Sequence, residues 1–280
     1  TEEWAFIPKN ALPYLKYYLD PSYSHMFYVD NTTLLVDASF NKPTGCSATD
    51  YWDCERKTTK DSGNDLDYSG TSWRTVLIGG MGFGGASRAA NGSCNTISGT
   101  LPDTLLNCVK APMNLTGYTE HGLSSYFALD VTIPESPSLL WSFSNPSLGY
   151  TISEPVVVRI NGKKGGSGPD KDDPDSSKNG RWFAVFASGP TGPIETTSHQ
   201  FYGRSDQNLK IFVVDLKTGA LAATFDSGVA NAFAGSLSSN ALDTDKENKY
   251  SSSYYTTDVV YIGYVKPKEV SGIMQWVDGG

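Results

Sequence analysis

The sequence predicts an all-β chain folded as a β-propeller, opened by a short N-terminal helix, and three observations carry that expectation. Short segments rich in β-branched and aromatic residues recur along most of the 280 residues. Glycine, at 28 residues, and proline, at 15, punctuate those segments, and 12% of the chain is aromatic. A weak internal repeat then gathers the segments into strand-turn-strand units.

Helical periodicity is confined to the start, where Ile7, Leu12, Leu15 and Leu19 recur and where Pro8 and Pro13 cut any helix short. Strands are expected over residues 26–30, 34–40, 75–78, 126–131, 139–143, 156–160, 182–187, 211–216, 221–225, 259–265 and 273–277, each bounded by Gly, Pro, Asn or Ser. One unit of the repeat runs from Trp73-Arg-Thr-Val-Leu-Ile-Gly-Gly through Ser125-Tyr-Phe-Ala-Leu-Asp-Val-Thr to Leu139-Leu-Trp-Ser-Phe. A second runs from Arg181-Trp-Phe-Ala-Val-Phe-Ala-Ser-Gly through Leu209-Lys-Ile-Phe-Val-Val-Asp to Ala220-Leu-Ala-Ala-Thr-Phe, and a third from Asp258-Val-Val-Tyr-Ile-Gly-Tyr to Gly272-Ile-Met-Gln-Trp. Such units cannot bury both faces alone, so they stack around an axis as blades. Residues 1–280 read as one propeller domain or most of one, with insertions at 41–71, 86–124, 162–180 and 189–208 expected on its exposed ends.

A formal net charge of −8 and a pI near 4.9 argue against nucleic acid as a partner. No apolar run reaches the ~20 residues of a membrane-spanning helix. The first residue is Thr1 and no signal peptide precedes it, so a processed product or a piece of a longer chain is expected. Cys46, Cys54, Cys94 and Cys108 lie in polar, loop-like sequence without C-x-x-C spacing, which favours two disulfides and an oxidising compartment over metal ligation. Of the possible pairings, Cys46 with Cys54 and Cys94 with Cys108 close the shortest loops.

Several motifs invite chemistry. Gly80-Met-Gly-Phe-Gly-Gly85 is a formal G-x-G-x-x-G after a strand, but the broken Ala-Ser-Arg-Ala-Ala-Asn-Gly that follows cannot open the helix a dinucleotide needs, so a tight glycine turn is expected. His25, His121 and His199 are far apart, and neither H-E-x-x-H nor G-x-S-x-G occurs, so no catalytic residue is assigned. Sequons stand at Asn31, Asn91 and Asn114. In Leu242-Asp-Thr-Asp-Lys-Glu-Asn, the carboxylates of Asp243, Asp245 and Glu247 alternate, and alternate side chains of a tight loop can converge on one Ca²⁺, a cation that takes six to eight hard oxygens. Two further acidic runs compete for an ion: 170–175, in a Gly/Ser-rich insertion expected to be mobile, and 61–67.

The blocks Phe6-Ile-Pro-Lys-Asn-Ala-Leu-Pro-Tyr-Leu, Tyr23-Ser-His-Met-Phe-Tyr-Val-Asp, Ser72-Trp-Arg-Thr-Val-Leu-Ile-Gly-Gly-Met-Gly-Phe-Gly-Gly, Tyr126-Phe-Ala-Leu-Asp-Val-Thr, Leu148-Gly-Tyr-Thr-Ile-Ser-Glu-Pro-Val-Val-Val and Phe212-Val-Val-Asp-Leu-Lys-Thr-Gly run in one order over most of the chain. In that order they resemble the C-terminal propeller of the PilY family, the calcium-binding biogenesis factors and tip adhesins of type IV pili. The resemblance implies a non-enzymatic, exported protein at the cell surface or pilus tip, with minor pilins and a host or abiotic surface as partners. It implies that calcium occupancy is linked to pilus extension and retraction. It also implies an EF-hand-like loop whose last carboxylate precedes the next strand, the position of Asp258; here the loop carries Glu247 in place of a short side chain, Asn248 in place of the turn glycine, and extra residues including Ser251-Ser-Ser-Tyr-Tyr. Two alternatives stand beside this reading: a quinone-dependent dehydrogenase-like propeller, and an ion-free adhesive module.

Overall fold

The computed structural model describes residues 2–19, 21, 28–65, 67–85, 87–88, 108–110, 124–191, 194–195, 200–201, 204–237, 241–245, 247–248, 251, 254–271 and 273–279. The chain is all-β, built on antiparallel sheets whose strands follow one another in sequence. In the first sheet β1 (Thr33–Ser39), β2 (Trp73–Gly80), β3 (Tyr126–Asp130) and β4 (Ser138–Phe143) pair in that order. The second repeats the pattern with β5 (Val156–Ile160), β6 (Arg181–Ala187), β7 (Lys210–Asp215) and β8 (Leu221–Asp226). A third sheet begins with β9 (Phe233–Ala234), is interrupted by a small hairpin of β10 (Ala241–Leu242) and β11 (Val259–Val260), and continues through β12 (Tyr264–Val270) and β13 (Ile273–Gly279).

These sheets are stacked face to face as blades, and the period-2 alternation of β6 is the reason. Ala184 and Phe186 point to the first sheet and join a core containing Tyr126, Trp141, Phe143, Phe212 and Val214. Val185 and Ala187, on the opposite face, join Val156, Ala232, Ala234 and Leu237 in a second core against the third sheet. The Phe186 ring lies 4.2 Å from Tyr126, 5.3 Å from Phe143 and 6.0 Å from Phe212, centroid to centroid. Burial of each such ring contributes roughly 1.5–3 kcal/mol. On the outer face of the first sheet Phe127 is covered by Phe6 of the N-terminal segment, at 4.9 Å. The stack has open ends, and the sheets do not close into a ring among the described residues.

The repeat explains the long insertions. Residues 41–71 and 162–180 both connect the first and second strands of their blades, while 86–124 and 189–208 both connect the second and third. In a meander these connections emerge at opposite ends of the strands, and each meets its counterpart from the next blade. At one end Arg56 N–H donates to the Ser177 carbonyl (2.6 Å), and the Asn179 amide donates to the Cys54 carbonyl (3.0 Å) and its side-chain nitrogen to that of Tyr51 (2.8 Å). At the other, Ser87–Arg88 and Cys108–Lys110 form a small sheet with Ile194–Glu195 and Gln200–Phe201.

The expected short N-terminal helix is present as a 3-10 helix, Lys9–Leu19. Two expectations are corrected. Residues 28–30 of the expected strand 26–30 are not a strand; the Asp30 carboxylate instead accepts the Phe83 N–H at 2.7 Å, and residues 26–27 lie outside the described set. The expected strand 259–265 is two strands, broken at 261–263, where the Gly263 carbonyl accepts from Gly235 N–H (3.0 Å). Among the described residues no helix is long and apolar enough to cross a membrane.

A candidate metal centre

Among the described residues, the β10–β11 hairpin brings together the one group of three carboxylates that could share an ion. Its register pairs Leu242 with Val259, and the Asp258 N–H donates to the Leu242 carbonyl at 2.9 Å, so the next position out sets Asp243 against Asp258. Carboxylate oxygens of Asp243, Asp245 and Asp258 thereby come within 4.8 Å of one another. Asp258 accepts from the Thr244 N–H (2.8 Å) and hydroxyl (2.6 Å), and Asp243 accepts from the Asp245 N–H (3.3 Å). A turn follows, in which Asn248 N–H donates to the Asp245 carbonyl at 2.7 Å. Glu247 sits exposed in that turn and is not in the group.

Partial burial, together with the charges of Asp245 and Asp258, holds the Asp243 carboxyl above the usual carboxylate range, against the opposing pull of the Asp245 N–H. Three carboxylates sharing one point repel, and a cation between them removes that repulsion. The donor set is all oxygen, which suits a hard ion such as Ca²⁺ or Mg²⁺ and not a thiolate- or imidazole-seeking metal. Three carboxylates with a nearby hydroxyl and backbone carbonyls begin the shell that Ca²⁺ takes, so the residues present fit the ion.

Behind the hairpin stands Arg159 of β5, a guanidinium that is almost fully buried. Its Nε donates to the Asn179 carbonyl (3.1 Å), Nη2 to Asn161 Oδ1 (3.1 Å) and the Lys178 carbonyl (3.1 Å), and Nη1 to the Tyr255 carbonyl (3.3 Å). Burial first, and then the neighbouring Arg56 charge, push its pKa down to about 10, while Asp243 and Tyr255 act in the opposite sense. Sequence reasoning missed Arg159, although a lone charge inside the apolar run Val156-Val-Val-Arg-Ile was a visible signal.

The competing acidic runs are otherwise engaged. In 162–180, Gly162–Lys163 and Pro174–Asp175 pair as a short ribbon, and Lys163 pairs with Asp172 (3.3 Å) and Lys164 with Asp173 (2.9 Å) on its exposed side. In 61–67, Asp61 accepts the N–H groups of Gly63 (2.8 Å) and Asp65 (3.0 Å), and Asp67 those of Ser69 (3.0 Å) and Gly70 (3.1 Å). The glycine-rich run is a tight turn: Gly82 has φ +59°, and its N–H donates to Thr151 Oγ1 (3.0 Å) while those of Phe83 and Gly84 go to Asp30. Asn31 Nδ2 donates to the Thr151 carbonyl at 2.7 Å. Cys46 and Cys54 form a disulfide. Cys94, the three histidines, Asn91 and Asn114 lie outside the described residues, and for Cys108 only the backbone is described.

No family model matches the chain. A type IV pilus biogenesis factor PilY1 homologue of Xylella fastidiosa is 24% identical over 227 residues, covering 79% of this chain and 9% of the relative. The type IV pilus biogenesis factor PilY1 of Pseudomonas aeruginosa is 24% identical over 265 residues, covering 92% of this chain and 15% of the relative. The chain thus spans a small part of the length of these relatives. The crystal structure of the P. aeruginosa PilY1 C-terminal domain aligns with 94% of this chain and 33% of its own at 20% identity, with a TM-score of 0.42.

Proposed function

We propose that this chain, a member of the PilY family, acts in type IV pilus biogenesis as a non-enzymatic, exported protein whose β10–β11 loop binds one Ca²⁺. The observation that carries the ion is the convergence of Asp243, Asp245 and Asp258 on one point. Bound Ca²⁺ supplies charge neutralisation at that point. Asp258, held by Thr244, brings the far arm of the loop to the Asp243–Asp245 pair. The loop therefore has two states, one drawn together and one opened by like-charge repulsion, and a partner that contacts only one of them biases the balance. In the pilus that partner is a minor pilin at the tip, and the balance sets extension against retraction and the strength of surface attachment.

The test is calorimetric titration of CaCl₂ into chelator-treated protein, alongside an Asp243→Ala/Asp245→Ala variant. One-site binding lost in the variant supports the reading; binding that survives moves the ion elsewhere, and no binding removes calcium from the function. Twitching motility of a deletion strain complemented with each form tests the pilus role: equal motility with and without the gene overturns it.

A further inference from the structure

The arm that delivers Asp258 is fastened to residues remote from the ion loop in sequence. Thr257 N–H donates to the Arg159 carbonyl (2.8 Å) and its hydroxyl accepts the Arg159 N–H (3.1 Å). Thr256 Oγ1 accepts the Asn161 N–H (3.1 Å), and the Tyr254 carbonyl accepts Asn161 Nδ2 (2.7 Å). Within this arm Tyr255 has φ +59°, a left-handed conformation costly for an aromatic residue, so something must hold it there.

The Tyr255 carbonyl accepts Arg159 Nη1 (3.3 Å), its ring packs on Tyr254 (4.4 Å), and two guanidiniums contact the ring. Arg159 Cζ lies 5.5 Å and Arg56 Cζ 5.6 Å from the Tyr255 ring centroid, both within cation–π range. Arg56 belongs to the first blade's loop, two positions beyond Cys54 of the Cys46–Cys54 disulfide, and is fixed there by its Nη2, which donates to the Ser176 carbonyl at 2.6 Å. Arg56 and Arg159 repel each other, and an electron-rich ring within cation–π range of both attracts each of them.

We infer that Tyr255, clamped between Arg56 and Arg159, is the positioning residue that presents Asp258 to Asp243 and Asp245, and that it couples the Cys46–Cys54 loop to the cation site. The inference rests on the calcium reading above. Coupling of this kind is reciprocal: the closed disulfide strengthens cation binding, and the bound cation protects the disulfide.

The experiment titrates CaCl₂ into the full chain as wild type, Tyr255→Ala, Tyr255→Phe and Cys46→Ser/Cys54→Ser. Affinity falling about tenfold in the alanine and double-serine variants, with Tyr255→Phe close to wild type because the ring remains, supports the coupling. Equal affinity in all four overturns it while leaving the calcium reading intact. A second readout needs no ion: hydrogen exchange of residues 254–258, compared between wild type and the double-serine variant. Faster exchange in the variant supports the clamp even where wild type binds no Ca²⁺, an outcome that overturns the calcium reading alone; unchanged exchange overturns the clamp.

Discussion

The Asp258 carboxylate accepts both the backbone N–H and the hydroxyl of Thr244, at 2.8 and 2.6 Å, across fourteen residues of chain. This double contact closes the acidic loop at its neck. The length of the intervening segment therefore does not decide whether the carboxylates meet.

Thr244→Val keeps the N–H and removes the hydroxyl donor. A hydrogen bond to a charged group is worth about 1.5–3 kcal/mol, so Ca²⁺ affinity is expected to fall at least tenfold in calorimetry while the ion-free melting temperature stays near wild type. Unchanged affinity would show that the neck closes without the hydroxyl.

Phe186 is fully buried among Tyr126, Phe143 and Phe212. Phe186→Ala leaves a cavity between the first two blades and is expected to cost about 3–5 kcal/mol in urea unfolding. A loss below about 1 kcal/mol would mean that the inter-blade core repacks.

Gly219 turns the chain between β7 and β8 at φ +72°, and an added Cβ would run into Trp141 of the first blade. Gly219→Ala combines left-handed strain of about 1–2 kcal/mol with that collision, so a clear drop in melting temperature is expected. A variant as stable as wild type would contradict this approach of turn and ring.

Asp226 accepts the Gly228 N–H (2.9 Å) and Asn208 Nδ2 (3.0 Å), and these bonds hold its carboxyl below the usual carboxylate range. A carboxyl depressed on folding contributes stability above its unfolded pKa and loses it as pH falls through the folded value. Urea midpoints measured from neutral pH down to about pH 3 should decline less steeply for Asp226→Asn than for wild type. Identical slopes would exclude Asp226 from the acid response.

The strands were legible because their signal is local. Alternation in Arg181-Trp-Phe-Ala-Val-Phe-Ala fixes which side chains face which neighbour, whatever lies beyond. The first two units of the repeat are legible from their second strands, because β1 and β5 carry no shared motif and pairing alone assigns them to their blades, whereas the third unit, expected from Asp258, takes in β11, which pairs with β10 outside the third sheet. Aspartates that end strands were visible as a pattern but not as a role: Asp130 accepts the Thr132 N–H (3.0 Å), and Asp215 those of Lys217 (3.1 Å) and Thr218 (3.0 Å), so both cap turns. Asp243 and Asp245 were legible from spacing, and Asp258 through family resemblance. Arg56, Arg159 and Tyr255 are separated by about a hundred residues at each step, and only the stacking of the blades, two loop residues against one strand residue, brings them together.

The two-sided burial of β6 has a consequence for how the protein comes apart. A strand that walls two cores at once cannot leave one without opening the other. Nearest-neighbour coupling of this kind transmits a defect along the stack instead of confining it to one blade. The three sheets are therefore expected to lose structure together, with the middle blade setting the threshold for both of its neighbours.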